Sequence, residues 1–145
     1  GQLLILSGRK EAEEIKHMRD QEQHHLDKVD ELLNEYNIRP SLLTPVWNLA
    51  GLTLGTVTAL MGTKSAMACT IAVEEVIGEH YQKQAIKLKA SNKGLSKVLN
   101  EFADEELEHR KKAQEHNGEE AFGYRIMKGI IQSGCRGAIK IAEKI

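Results

Sequence analysis

Apolar residues between Lys10 and Tyr36 return at steps of three and four. Ile15, Met18, Val29, Leu32 and Tyr36 share one stripe with Glu22 and His25 in its middle, the pattern of a long amphipathic helix. The Asn37-Ile38-Arg39-Pro40 sequence ends it, because proline cannot continue a helix. No charged residue occurs from Pro40 to Thr63, where Leu42, Leu43, Val46, Trp47, Leu49, Leu52, Leu54, Val57, Leu60 and Met61 alternate with Gly, Thr and Ala. That run is about as long as a membrane span. Pro45, Asn48 and the glycines weaken the spanning reading and favour a helix or hairpin dipping into one leaflet, with a buried core helix as the third reading. Residues 66–89 then read as helix, Ser91-Asn92-Lys93-Gly94 as a turn, and residues 95–116 as a further helix that Asn117-Gly118 breaks. The last stretch, 121–145, sets Met127, Ile131, Gly134, Ala138, Ile141 and Ile145 on one face.

The polar residues inside these apolar stripes carry the chemical signal. The helix after Gly94 places Leu95, Leu99, Phe102, Glu106, His109, Ala113 and His116 on one stripe, so its middle is Glu-x-x-His, as in the first helix. Both copies extend to Asp-x-Glu-x-x-His: Asp20 with Glu22 and His25, and Asp104 with Glu106 and His109. Between them Met67, Ile71, Glu74, Gly78, Tyr81, Ala85 and Leu88 form a third stripe with one central carboxylate; Glu75 lies about 100° away, toward Glu79 and Gln82.

Composition narrows the class. With 145 residues there is room for one domain, residues 1–145, and with 4% aromatics and two prolines helix formers dominate, which predicts an all-α protein. A net charge of −1 gives no reason to expect nucleic acid as a partner, and Cys69 and Cys135 are too few for a disulfide framework, which suits reduced thiols inside a cell. Charge is nonetheless uneven: Arg125, Lys128, Arg136, Lys140 and Lys144 stand against Glu143 alone in the last stretch. A basic amphipathic helix beside an uncharged apolar segment suits an anionic bilayer surface, although taken alone it is as well explained by a solvated helix face. Gly1-Gln2-Leu3-Leu4-Ile5-Leu6 reads as the tail of a helix already under way, so a fragment is expected.

Burying an ionised carboxylate unpaired costs several kcal/mol, so inward Glu22, Glu74 and Glu106 need compensation. A Glu-x-x-His on a helix sets its two side chains about 60° apart and one turn along the axis, within reach of one metal ion. Three carboxylates and two imidazoles form a hard oxygen and nitrogen donor set that suits iron or manganese. A bridged two-iron centre in a helical bundle takes one Glu from each of two helices and a Glu-x-x-His from each of two others. One Glu is lacking. Glu74 precedes Glu106 by 32 residues, and the same step back from Glu22 falls before Gly1, where the remaining ligand is expected. A single Glu-x-x-His is usually a surface ion pair, and a core held by Glu–His hydrogen bonds is the structural alternative, but polar networks seldom stabilise a core more than apolar packing does. His24, His80 and His116 read as structural on their own, and Asp20 and Asp104 point nearly opposite to the ligand face.

The chain resembles the demethoxyubiquinone hydroxylases of ubiquinone biosynthesis. The resemblance spans essentially the whole sequence and rests on Asp20-Gln21-Glu22 with His25, Arg39-Pro40 followed by Pro45-Val46-Trp47-Asn48, and Ala66-Met67-Ala68-Cys69-Thr70 running into Ala72-Val73-Glu74-Glu75. It continues through His80-Tyr81, residues 104–109 and Ile131-Gln132-Ser133-Gly134-Cys135-Arg136. It implies a ferritin-like four-helix bundle with its first helix largely missing, an added membrane-associated segment over 40–63 and a C-terminal amphipathic helix. It also implies iron ligation by Glu22, His25, Glu74, Glu106 and His109, and a part for His80 and Tyr81 in passing electrons or protons toward the metals. The family motif that supplies a sixth ligand would lie upstream of Gly1.

The implied activity is that of a monooxygenase using two iron ions and O₂ to hydroxylate the ring of a demethoxyubiquinone-type polyprenyl quinone, with NADH as a loosely bound electron donor. No Gly-rich nucleotide motif is present. Leu42, Leu43, Trp47, Leu52 and Leu54 would contact the membrane and give the quinone an apolar way in. The resemblance further implies a peripheral place on the matrix side of the mitochondrial inner membrane, or the cytoplasmic side of a bacterial inner membrane. It also implies a lipid-binding partner protein of the biosynthetic assembly, and it leaves room for a homo-oligomer. A ferritin-type protein that binds or oxidises iron without an organic substrate is the rival reading.

Overall fold

The computed structural model describes residues 1–144 and is all-helical, with no strand among the described residues. Its α-helices are α1 (Gln2–Leu6), α2 (Ala12–Glu35), α3 (Thr44–Leu60), α4 (Thr63–Leu88), α5 (Lys93–Glu115) and α6 (Tyr124–Ala142), and a single 3₁₀ turn, Gly118–Glu120, precedes α6. Ile145, which the sequence pattern adds to the last stripe, lies outside the described residues. The helices divide into two compact units: Gly1–Thr63 with residues 137–144, and Lys64–Arg136.

In the first unit α1 packs against both α2 and α3. The α1–α3 approach is close because glycine lies on both sides: a Cβ at Gly55 would stand 3.3 Å from Gln2 N and 3.4 Å from Gly1 Cα. Along α2 the expected stripe is buried at Ile15, Met18 and His25. Tyr36, expected at its end, is exposed, because α2 stops at Glu35 and Asn37 turns left-handed at φ 53°, a conformation asparagine tolerates better than most residues. Helix α3 is not a core helix: Leu42, Val46, Leu49, Leu52, Val57 and Leu60 are exposed, and only Thr58 and Ala59 are buried. At 17 residues it is about 25 Å long, short of the roughly 30 Å apolar core of a bilayer, and no described helix is long and apolar enough to cross a membrane.

The second unit carries the denser core. The first part of α4, Ser65 to Ala72, is buried all round, as expected for a run of small and apolar residues without charge. Helix α5 begins two residues earlier than the expected turn allows, because the Asn92 side chain accepts a hydrogen bond from Leu95 N at 3.0 Å and so draws Lys93 and Gly94 into its first turn. Ser96 then donates from Oγ to the Ala85 carbonyl at 2.8 Å, tying the start of α5 to α4. Asn117 ends α5 at φ 61°, and the chain turns back so tightly that a Cβ on Gly118 would lie 2.6 Å from Ile71 Cδ1 and 2.8 Å from the Met67 carbonyl carbon. Only glycine fits there.

Candidate metal centre

Glu74 reaches the centre from α4, and Glu106 and His109 from α5. Leu99, Phe102 and Ala113 of the same α5 stripe are all buried, so this helix turns its Glu-x-x-His inward as its periodicity predicts. Glu106 is 0% exposed and His109 is buried. His109 Nδ1 stands 3.3 Å from Glu106 Oε2 and 3.9 Å from Glu74 Oε1, and one ligand atom from each of the three residues falls within 4.8 Å of the others. Glu74 retains slight exposure, its side chain being 13% accessible. A close approach of the two helices makes this possible: a Cβ at Gly78, one turn beyond Glu74, would stand 3.4 Å from Glu106 Cβ. Two carboxylates and one imidazole converging at this depth form the hard donor set that divalent iron or manganese accepts.

In the other unit α2 carries Glu22 and His25, with Glu22 Oε2 3.9 Å from His25 Nδ1. His25 is buried as expected, whereas the Glu22 side chain is 47% exposed, against the expectation that the whole pair is enclosed. Asp20 is turned away and ion-paired to Arg19, in keeping with its exclusion as a ligand.

Tyr81 packs edge-on against Phe102, with ring centroids 5.5 Å apart and planes at 63°, and its neighbour His80 is half-buried. Leu42 and Leu52 are exposed, while Leu43, Trp47 and Leu54 are half-buried.

Two cations of the basic helix face carboxylates of α4: Lys128 Nζ lies 2.6 Å from Glu75 Oε2, and Arg136 Nη2 lies 3.8 Å from Glu79 Oε2. The hydrogen bond to Glu75, and then its charge, raise the Lys128 pKa above its ordinary value. Composition could not reveal this pairing; the one hint was that Glu75 and Glu79 share the α4 face turned away from Glu74. Burial also raises the pKa of the Cys135 thiol.

The chain is an all-helical protein with an enclosed glutamate–histidine cluster that could hold a metal ion. The family model for the ubiquinone biosynthesis protein COQ7 matches residues 1–142, and the chain belongs to that family. It is 46% identical to the NADPH-dependent 3-demethoxyubiquinone 3-hydroxylase, mitochondrial, of Caenorhabditis elegans, over all of this chain and 80% of that protein. It is 42% identical to the Homo sapiens protein of the same name, over all of this chain and 69% of the relative. It is also 40% identical to the 3-demethoxyubiquinol 3-hydroxylase of Rhodospirillum rubrum, over all of this chain and 69% of that protein.

Proposed function

We propose that this chain is an oxidoreductase that hydroxylates the ring of a demethoxyubiquinone or demethoxyubiquinol, the reaction in the names of its relatives, at a centre of two iron ions. The burial of Glu106 beside Glu74 and His109 carries the reading, since an enclosed carboxylate needs a cation more than it needs water. The resemblance implies that Glu22 and His25 of α2, the second Glu-x-x-His of the sequence, serve as iron ligands as well. Iron, when bound, would supply the redox chemistry that lets O₂ be reduced and one oxygen atom transferred. The residues of the chain do the rest. Glu74 and Glu106 neutralise cationic charge, the imidazoles of His25 and His109 fix its position, and the apolar packing of Leu99 and Phe102 keeps bulk water out. His80 and Tyr81 serve proton or electron movement toward the centre.

The electron donor is a reduced nicotinamide that binds weakly. NADH is the donor the family resemblance implies, and the names of the animal relatives carry NADPH, so both belong in the assay. A polyprenyl substrate resides in a bilayer, and the exposed leucines of α3, with Phe122, Ile126 and Ile130 around the start of α6, supply apolar surface to rest on one. The reading for this chain is a peripheral place on the matrix face of the mitochondrial inner membrane, supported by animal relatives named mitochondrial, with a bacterial inner membrane as the alternative. A lipid-binding protein of the biosynthetic assembly is the expected partner.

The test is to load the protein with ferrous iron, count the metal, and supply demethoxyubiquinone in liposomes with O₂ and NADH or NADPH. Hydroxylated quinone is expected, and none from Glu106→Gln. Iron uptake and oxidation with no quinone product would instead identify a ferritin-type protein.

A further inference from the structure

The α4 helix is gripped on two sides. Toward α5, Gly78 leaves 3.4 Å between a Cβ at its position and Glu106 Cβ, and the Ser96 hydroxyl holds the Ala85 carbonyl. Toward α6, Glu75 meets Lys128 at 2.6 Å and Glu79 meets Arg136 at 3.8 Å, one helical turn apart on α4. Glu75 is the residue next to Glu74, about 100° around the helix. Lys128 also lies 5.8 Å from the centroid of the Tyr124 ring, which restricts where its ammonium can go.

We propose that Lys128 is a positioning residue for the metal centre: by holding Glu75 it sets the roll of α4 about its axis and thereby aims the Glu74 carboxylate at Glu106 and His109. The inference rests on the metal reading above. A side-chain carboxylate rides about 6 Å from the helix axis, so a roll of only about 5° shifts it by about half an ångström. Metal–ligand distances tolerate about 0.2 Å. An ion pair of this partly exposed kind contributes little to global stability, so its loss should be felt in coordination and not in folding. Tyr81 against Phe102 and the Ser96–Ala85 hydrogen bond hold α4 along α5, and the short charged contact to α6 adds a second lever against rotation beside Glu74 itself.

The experiment uses the full chain and cobalt(II), whose visible spectrum reports coordination geometry. Wild type, Lys128→Met, Glu75→Gln and the exchanged pair Lys128→Glu with Glu75→Lys are compared by cobalt titration and by thermal melting without metal. Each single variant is expected to bind cobalt about tenfold more weakly, with an altered spectrum, the size typical of losing a residue that orients a ligand. Metal-free melting should stay within about 2 °C of wild type, and the exchanged pair should regain affinity and spectrum. Single variants with wild-type affinity and spectrum would overturn the positioning role while leaving the metal site intact, and so would an exchanged pair that melts normally but still binds weakly. A wild-type chain with no cobalt binding above that of Glu106→Gln would overturn the metal reading and this inference together.

Discussion

Gly78 of α4 sits directly against Glu106 of α5, with 3.4 Å between a Cβ at position 78 and Glu106 Cβ. That distance is ordinary van der Waals contact, so alanine fits at position 78 and regains helix propensity of about 1 kcal/mol. Leucine does not fit and must push α5 away. Gly78→Leu is therefore expected to cost about 1–3 kcal/mol, lowering Tm by roughly 3–10 °C, and to weaken metal binding, while Gly78→Ala melts at or above the wild-type temperature. Calorimetry on both variants decides it; a Leu variant as stable as wild type would show that the helices are not in contact there.

Burial of Glu106 gives metal a measurable effect on stability. A ligand that binds only the folded chain stabilises it by about 2.7 kcal/mol at a hundredfold excess over its Kd. Ferrous iron under anaerobic conditions should raise wild-type Tm accordingly, and a chelator should reverse the rise. Glu106→Gln keeps the shape but loses the charge, so its Tm should not respond to iron, and its metal-free form should be no less stable than wild type because no carboxylate needs desolvation. An iron-dependent rise that survives in Glu106→Gln would remove Glu106 from the centre.

The α5 stripe was legible in the sequence because one helix, read by its own period, fixes what turns inward: Leu99, Phe102, Glu106, His109 and Ala113 are all buried. The same logic separated Glu74 from Glu75. It stopped where a property belongs to two elements at once: the placing of Lys128 on Glu75 and Arg136 near Glu79 is a pairing that no spacing within one helix encodes. The start of α5 was misplaced because Asn92 can act as a turn residue or as a cap, and the Ser96–Ala85 hydrogen bond that anchors the helix beside it is a contact between helices. Glu22 shows the remaining gap: periodicity gives the direction of a Cβ within its own helix, but not which neighbours cover the side chain, and Glu22 is 47% exposed where His25 is buried.

Alkaline pH should destabilise the fold through Cys135. Burial raises the Cys135 pKa from its ordinary 9.0, so the folded chain keeps a proton that the unfolded chain gives up, and stability falls as pH rises past about 9. Lys128 is raised from 10.5 by Glu75, but a partly exposed ion pair contributes little to global stability, so its titration adds no resolvable stage. Urea midpoints should decline from pH 8 to 11, with Cys135→Ser blunting the decline and Lys128→Met leaving it nearly unchanged. Iodoacetamide should label Cys135 slowly at pH 7.5. A midpoint unchanged across that range would refute the Cys135 assignment.

Membrane docking through α3 makes a prediction that separates surface from core. Leu49 is 64% exposed and Leu60 67%, so replacing either should change stability by no more than about 0.5 kcal/mol. If that face rests on lipid, each leucine buried there contributes about 1.5–3 kcal/mol to attachment. The double variant Leu49→Glu with Leu60→Glu should then lose roughly a hundredfold or more in binding to anionic liposomes, while its circular dichroism and urea midpoint stay at wild-type values. Flotation of the two proteins with vesicles containing cardiolipin measures it. Equal flotation would move the docking face to another surface, of which Phe122, 98% exposed, with Ile126 and Ile130 is the next to replace. A double variant that unfolds would instead show that α3 is held by packing and not by lipid.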